Sequence, residues 1–506
     1  MSNYDNEEPK TMYDENKDKL KGKYDSSYIE LQDEKINAVN ETIRGIKKYP
    51  LDDTGNANRL VERYGSEFRY NVDDKCWMIY DNIAWRRDNK KYIKKLADRL
   101  IDYMYFELRK MDRGDGYSAS YVNDFYRNIK RLSSSNGKDA MLKEAEHLGD
   151  IAITNNELDT QNDLLNCKNG VVDLKTGKMM PHDKELMMSK CTNIDVDMDN
   201  EPTRWIKFIT EVFGGDEKMV DYLQTIMGYT LTGSIKEQCM FQCCGDGANG
   251  KSVLLNVIYN IMGDYSLNAQ IDSILDKGKN NGNANPDIAR MHGARFIRTN
   301  EPKEGVQMNE GLVKQLVGGD VITARKLYAN EFEFTPVGKL WIATNHKLVI
   351  CGTDNGIWRR QQLIMFKETF EGARADKELP DKLKEEYPQI LGWAIKGAIR
   401  WYKEGINIPP RVEDSSKEYR TEMDVVASFL KENVTITPNG KEKAGDVFKA
   451  YYQWAKLGNE QKISQTKFGR EMAKRFNKKT IAGYAYYVGF VLKSNDHAYI
   501  FSKDNL

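Results

Sequence analysis

Seven cysteines in 506 residues, with no C-x-x-C pair among them, are too few and too scattered for a disulfide framework. The adjacent Cys243 and Cys244 cannot easily bridge each other, and strand alternation would send them to opposite faces. All seven are expected as reduced thiols. Net charge is absent too: 76 Lys and Arg balance 76 Asp and Glu, so overall charge points to no partner and local charge has to be read instead. No run approaches the roughly 18 apolar residues of a membrane span. The N-terminal "MSNYDNEEPKTMYDENKDK" lacks the apolar core of a signal peptide. These absences predict a soluble cytoplasmic protein with no membrane partner. No internal repeat is visible.

What is present is length enough for two to four domains and an abundance of aromatics, 28 Tyr and 8 Trp. Residues 1–50 are polar and mixed in charge, and are expected to be disordered or loosely helical. A domain over 51–200 follows. In it "DDTGNANRLVERY" places Leu60, Val61 and Tyr64 on one helical face behind a cap at Asp53 and Thr54. "KCWMIYDNIAWRRD" alternates Trp77, Ile79, Ile83 and Trp85 around a D-N turn, a hairpin pattern. A helical stretch runs to about residue 155, and "LLNCKNGVVDLKTGKMMPHD" reads as a second hairpin unit turning at Asn169-Gly170 and Thr176-Gly177. From 201 to 405, two helices precede short apolar runs that alternate with helical stretches and glycine turns, the pattern of a parallel α/β sheet. "INIPPRVEDSS" over 406–416 reads as a linker, and 417–506 as a small separate α+β domain.

The chemistry centres on "MFQCCGDGANGKSVLLNVIYNIMGDY". Gly245, Asp246, Gly247, Ala248, Asn249, Gly250, Lys251 and Ser252 match G-x-x-x-x-G-K-[ST] in full. Glycines let backbone N–H groups turn inward around phosphate oxygens, and a helix starting near Lys251 adds its positive end. In that role Lys251 contacts the β- and γ-phosphates and Ser252 ligates Mg²⁺. The flanks fit: "CMFQCC" is a buried-strand run and "VLLNVIYNIMG" has helical spacing.

Later segments carry further candidates. "ARFIRTNEP" is a short strand ending at Glu301, a carboxylate able to hold a Mg²⁺ shell and polarise water, although Asn300 stands where a second acid would serve better. Taken alone, Glu301 reads as a surface charge rather than a catalyst. "KLWIATNHK" ends a buried run in Asn345, suited to a γ-phosphate or a lytic water, or to an ordinary turn. "GTDNGIWRRQQLIMF" sets Arg359 and Arg360 just before a strand, where an arginine can reach a neighbouring subunit's nucleotide; spacing alone fits a solvated pair equally well.

Taken in order, the phosphate loop, the strand ending in Glu-Pro, "LVKQLVGGDVITARKLY", "KLWIATNHK" and "GTDNGIWRR" resemble the superfamily 3 helicases of phages, plasmids, mobile islands and large DNA viruses, in the poxvirus-like primase–helicase branch. The likeness runs from about residue 52 to the end. "DTGNANRL", "WMIYDNIAWRRD" and "NGVVDLKTGKMMPHD" look like the domain that precedes the motor in that branch. The resemblance implies an α/β, AAA+-type P-loop motor behind an α+β domain, assembling as a hexameric ring that moves along single-stranded DNA using ATP and Mg²⁺. It implies Lys251 and Ser252 as the Walker A residues, Glu301 at the Walker B acid, Asn345 as the sensor, and Arg359 or Arg360 as the finger acting across the subunit boundary. It also implies a hairpin reaching into the central channel. Here "ITARKLYANEFEFTPVGKLW" has two alternating runs about Ala329-Asn330, and Arg325 and Lys326 become candidates for phosphate-backbone contact, competing with a reading as edge-strand charges. Single- and double-stranded DNA, further copies of the chain, and a separate primase or other replication protein are the implied partners. A bacterial cytoplasm is the implied compartment for a phage or mobile-element gene.

Relatives of this kind often carry a primase, whose metals need D-x-D carboxylates. The one D-x-D segment in the first two hundred residues, "DVDMD" at Asp195–Asp199, has no strand core beside it and reads as a solvated turn, so no primase activity is expected. At the other end, "ISQTKFGREMAKRFNKK" puts Phe468, Met472 and Phe476 on one helical face behind a cap-like Ser464, with seven Lys or Arg against Glu471 between Lys462 and Lys479. "TIAGYAYYVGFVLK" follows as a two-stranded wing. Helix, basic helix and wing spell a winged-helix DNA binder, with Lys467, Arg470, Lys474 and Arg475 as contact candidates. The favoured reading is an ATP-dependent replicative DNA helicase. The alternative is an origin-binding initiator in which ATP controls assembly. A small-molecule P-loop kinase fits poorly, since no lid-like arginine cluster follows the loop.

Overall fold

The computed structural model describes residues 49–111, 117–275, 286–299, 306–325, 331–352, 355–458 and 462–493. The expected N-terminal segment therefore lies outside the described residues save for its last two positions. The fold is mixed α/β, and the chain divides into two compact units, Met1–Thr160 and Gln161–Leu506.

In the first unit, helix α1 (Asp53–Tyr64) is capped by Asp52, not by Asp53 or Thr54; its carboxylate accepts from the Gly55 amide at 2.7 Å. Strands β1 (Phe68–Asn71), β2 (Cys76–Tyr80) and β3 (Trp85–Arg87) form an antiparallel meander, with the expected turn after Tyr80. Helices α2 (Tyr92–Met111), α3 (Ala119–Leu132) and α4 (Ser135–Ala145) precede β4 (Ala152–Ile153), which pairs parallel to β1. Leu60, Phe68, Leu96, Leu100, Phe125 and Ile129 form the core. Inside it Asn56 and Asn128 exchange two amide hydrogen bonds of 3.0 and 2.9 Å, which satisfies both buried groups.

The second unit begins with β5 (Leu164–Cys167), β6 (Gly170–Asp173) and β7 (Met179–Met180), the second expected hairpin unit. The sequence boundary near 200 is thereby corrected. Leu165, Cys167, Val172 and Leu174 share one core with the sheet and helices that follow, and the buried Arg295 guanidinium donates to the carbonyls of Gln161 and Leu164. The Asp195–Asp199 segment is irregular backbone. Asp197 accepts from the amides of Asp199 and Asn200 and from the Asn200 and Gln389 side chains, and those bonds hold its carboxyl below the usual range.

Helices α5 (Thr203–Val212) and α6 (Glu217–Leu231) lead into β8 (Met240–Cys244), and helix α7 (Lys251–Met262) into β9 (Ser266–Ala269) and β10 (Phe296–Thr299). Then come α8 (Glu310–Gly318), the hairpin β11 (Ile322–Arg325) and β12 (Glu331–Phe334), β13 (Lys339–Thr344) and β14 (Gln361–Met365). The central sheet runs β14-β8-β13-β10-β9, every pairing parallel. Its strands are almost wholly buried, as a sheet covered on both faces requires. One face packs on α5, α6, α7 and α9 (Tyr387–Glu404), the other on α8 and the β11–β12 hairpin. Cys243 belongs to the first core and Cys244 to the second, the opposed faces that alternation requires. Helices α6 and α9 meet at glycines. A Cβ on Gly228 would stand 2.0 Å from the Ala398 nitrogen, and one on Gly397 would stand 2.0 Å from the Gln224 carbonyl oxygen.

The linker expected over 406–416 is corrected as well. Pro410 occupies the first turn of α10 (Pro410–Glu422), where its missing N–H costs nothing, and the helix packs against β14. Val412 and Tyr419 are 1% and 0% exposed, within the two cores of the sheet. The small C-terminal module therefore starts after α10. It comprises α11 (Val425–Asn433), β15 (Val434–Lys443), α12 (Ala444–Leu457), α13 (Gln465–Arg475), β16 (Asn477–Ile481) and β17 (Tyr484–Leu492), with sheet order β15-β17-β16. Phe429, Val447, Tyr451, Phe468, Met472, Tyr487 and Phe490 form its core.

Candidate functional site

Because the central strands are parallel, their carboxyl ends lie along one rim, where α/β sheets bind ligands. β8 and β13 are neighbours in the register Thr344↔Cys244. The residue after each strand is thus the loop's Gly245 on one side and Asn345 on the other. Gly245 sits at φ +155°, and a Cβ there would collide with the Phe366 carbonyl oxygen at 2.2 Å; only glycine lets the chain turn here. The loop closes at Gly250 and passes straight into α7, so the unpaired amides of the first helical turn face the loop's interior. Ser252 is exposed on that turn.

Lys251 is 6% exposed. Its Nζ donates to the Gly245 carbonyl, to the Asp246 carbonyl at 3.0 Å, to Asn249 Oδ1 at 3.1 Å and to Asn345 Oδ1 at 3.1 Å. Asn249, itself buried, donates to the Asp246 carbonyl and holds the loop's shape. The lysine that follows the glycine loop and the asparagine 94 positions later are therefore one cluster.

Two cavities flank this cluster. One, of about 480 Å³, is lined by Gly247 to Asn256, Arg298, Thr299 and Ala343 to Asn345. The other, of about 620 Å³, runs from Gly245 and Asn345 past Lys347 to Phe366 and Glu422. In the first, Thr299 Oγ1 and Arg298 Nε are buried without a hydrogen-bond partner among the described residues. Such atoms are costly unless something polar meets them. Arg298 lies over the Tyr259 ring at 4.2 Å and donates to Asn256 Oδ1 at 2.5 Å, and burial lowers its pKa. Arg298 was missed in the sequence; its signal was a cation inside an otherwise apolar strand run. Beneath the site, burial pushes the Cys243 thiol up to about 12, against the opposing pull of the Lys251 charge.

Glu301 and Lys326 lie outside the described residues, as does the Ala329-Asn330 tip. Arg325 ends β11 and is exposed. Arg359 and Arg360 sit at the other rim of the sheet, just before β14, whose Gln361 pairs with Met240 at the start of β8. A five-residue strand, roughly 17 Å, separates that rim from the Gly245–Gly250 loop. Arg359 is exposed and donates to Gln238 Oε1 at 3.0 Å; Arg360 is half-buried and donates to the Gly356 carbonyl at 2.6 Å.

On α13, Ser464 caps the helix as expected, its hydroxyl accepting from the Lys467 amide. The basic side chains are largely engaged within the fold. Lys467 Nζ donates to the Cys351 carbonyl at 2.7 Å, Lys474 pairs with Glu471 at 2.7 Å, and Arg475 pairs with Glu471 and Asp424. Arg470 is exposed. Among the described residues, no helix is long and apolar enough to cross a membrane, and no group of three His, Cys, Asp or Glu stands where it could hold a metal ion.

Residues 57–214 match the family described as D5 N terminal like, and residues 243–360 match a family of unknown function, DUF5906. The chain is 27% identical over 436 residues to the "Putative helicase L207/L206" of Acanthamoeba polyphaga mimivirus, an alignment covering 79% of this chain and 45% of that one. It is 23% identical over 387 residues to the "Putative primase C962R" of African swine fever virus, covering 71% and 40%. The "Putative helicase 022R" of Frog virus 3 is 24% identical over 271 residues, covering 50% and 28%. The chain thus spans less than half the length of these curated relatives. Among solved structures, the apo C-terminal region of NrS-1 aligns with a TM-score of 0.45 at 10% identity, over 85% of this chain and 98% of that one. The sequence matches relate the chain to D5-like primase–helicases of large DNA viruses.

Proposed function

We propose that this chain is an ATP-dependent DNA helicase that works as a hexameric ring, holding each triphosphate at a junction between two copies. The observation that carries the reading is the meeting of Lys251 and Asn345 at the carboxyl ends of adjacent parallel strands, beside a cavity lined by the start of α7. A lysine and inward-facing amides hold the β- and γ-phosphates, and Asn345 orients the lytic water against the γ-phosphate. The Ser252 hydroxyl and the unpartnered Thr299 Oγ1, both lining that cavity, are hard oxygen donors suited to Mg²⁺ and its water shell. Bound Mg²⁺ supplies neutralisation of charge developing on the phosphates. Glu301, two positions past Thr299, takes the role of carboxylate in this scheme. The placement of Arg359 on the far rim, exposed, suits action on another copy's nucleotide. Arg325 and Lys326 at the β11–β12 hairpin take the DNA backbone in the channel, and relatives named as helicases support the unwinding role.

The test is strand displacement on a forked DNA substrate by the wild type and by Lys251→Ala, with ATP hydrolysis followed in parallel and ring size read by mass photometry. Unwinding that needs ATP and single-strand-stimulated hydrolysis, both lost in the variant, is the expected result. A variant that still separates strands with ATP removes the motor. Hydrolysis indifferent to DNA, beside site-specific duplex binding, would instead make the chain an initiator.

A further inference from the structure

The C-terminal module carries a basic helix, but that helix is not its most available basic surface. Three of the four candidate cations on α13 are held by Cys351, Glu471 and Asp424. The three-stranded sheet is different. Side chains on a strand alternate faces, and Tyr487 of β17 points into the core, so Tyr484 and Tyr486 point outward. The register places Lys443 and Lys479 on either side of Tyr486, Lys441 beside Val488, and Ile481 beside Tyr484. Three lysines and two tyrosines thus share one outer face, and none of the paired positions on it is acidic. None of the three lysines has an ion pair among the described residues. Lys443 Nζ lies 3.6 Å from the Tyr484 ring centroid, and Tyr484 is 55% exposed.

We propose that this outer face binds single-stranded nucleic acid, the lysines taking phosphates and the tyrosines stacking with bases. Lysines on edge strands also discourage strand-to-strand aggregation, which would account for Lys479 on β16 and for Lys441 and Lys443 on β15, the two edges of this sheet. It does not account for two outward tyrosines on the central strand, Tyr486 between Lys443 and Lys479 and Tyr484 beneath the Lys443 ammonium. Rings at positions i and i+2 stand roughly 7 Å apart, the reach of one extended nucleotide. Ring faces stack with unpaired bases of any sequence, whereas the bases of a duplex already cover one another. The occupant is therefore a single strand, read without strong sequence preference.

This inference rests on the DNA-unwinding reading, and the two fail separately. The full chain is titrated without nucleotide against fluorescein-labelled oligothymidylate and against a duplex of equal length, by anisotropy at several salt concentrations. The variants are Lys441→Ala/Lys443→Ala/Lys479→Ala, Tyr484→Ala/Tyr486→Ala, and, on the helix, Arg470→Ala/Lys474→Ala, each checked for an unchanged melting temperature. The lysine variant should bind oligothymidylate at least tenfold more weakly, with a salt slope shallower by about 2. The tyrosine variant should lose about tenfold or more on oligothymidylate and little on duplex. The helix variant should change less than either. Sheet variants that bind like wild type, a tyrosine-variant loss confined to duplex, or a loss confined to the helix variant would each overturn the assignment. ATP hydrolysis by the wild type, measured without oligonucleotide, reports on the motor alone. A chain that hydrolyses ATP while its sheet variants bind normally loses this surface and keeps the motor; one that binds through the sheet yet never hydrolyses loses the motor and keeps the surface.

Discussion

Lys251 and Asn345 touch at 3.1 Å although 94 residues separate them, because the strands that precede them are parallel neighbours in the sheet. The contact couples the residue proposed to hold the phosphates to the one proposed to orient the water. Lys251→Ala should lower ATP turnover to a small residual rate, still measurable at high enzyme concentration, and weaken nucleotide binding. Asn345→Ala should lower kcat by about 10²–10³ with a much smaller change in KM, as expected where one polar group acts mainly in the transition state. The double variant should be no worse than Lys251→Ala, since the two act as a unit. Steady-state hydrolysis by the four proteins checks this, and strictly additive losses would contradict it.

Arg298 shares the cavity with Ser252 and Thr299, and its buried Nε has no partner among the described residues. Burial already disfavours its charge, so an anion arriving in the cavity relieves a cost the fold carries. Arg298→Ala should weaken binding of a fluorescent ATP analogue by roughly 1.5–3 kcal/mol, the range for a charge-assisted hydrogen bond. Arg298→Lys should recover part of it. Equal affinity in all three proteins would return Arg298 to a role in packing over Tyr259.

Sequence alone left Arg359 and Arg360 equivalent; their surroundings do not. Arg360 is half-buried against the Gly356 carbonyl, whereas Arg359 is exposed at the same rim. Arg359→Ala should keep nucleotide affinity and lose about 10³-fold or more in turnover, the scale of an arginine acting in trans. Arg360→Ala should lower the melting temperature, at about 1 kcal/mol for its lost hydrogen bond. Mixing Arg359→Ala with Lys251→Ala should restore part of the hydrolysis, because in the proposed ring some junctions would then have both residues intact. Mixtures no more active than their components would rule out a site shared between copies.

The glycine loop between β8 and α7, both hairpin units, the β11–β12 runs and the Ser464 cap were legible because each is written in contiguous residues. What escaped depends on contacts between distant segments. Strand order brings Asn345 to Lys251, and no local pattern states it. "INIPPRVEDSS" resembled a linker, whereas Pro410 starts a helix whose Val412 and Tyr419 find cores only after the sheet has formed. β15 was missed because "VTITPNGKEK" is polar and interrupted by Pro438 and Gly440; it becomes a strand by pairing with β17, with its register shifting between Ile436 and Lys441. The basic face of α13 was visible, but its pairing with Asp424 and Glu471 was not, since charge runs do not announce their partners.

The thiols offer a test of the fold that needs no ligand. None of the seven cysteines is in a disulfide among the described residues; Cys76 and Cys351 are partly exposed, and Cys167, Cys191, Cys239, Cys243 and Cys244 are buried. Burial disfavours the thiolate, raising the pKa of Cys167, Cys239 and Cys243 to about 12 and raising that of Cys244 as well. The thiolate is the reactive form, so raising the pH from 7 to 9 leaves Cys167, Cys239 and Cys243 protonated and unreactive in the folded state. In the unfolded chain, where a thiol titrates near 8.5, the same change exposes most of them as thiolate. Native protein treated with a thiol reagent should therefore label at Cys76 and Cys351, at either pH, and all seven should react in denaturant. Because folding holds these groups above their unfolded pKa, their contribution to stability is fully present below about 8.5 and falls as pH rises towards 12. Peptide mapping of the labelled chain checks the pattern, and rapid native labelling of Cys243 or Cys244 would mean that the strand leading into the phosphate loop is not packed between two cores.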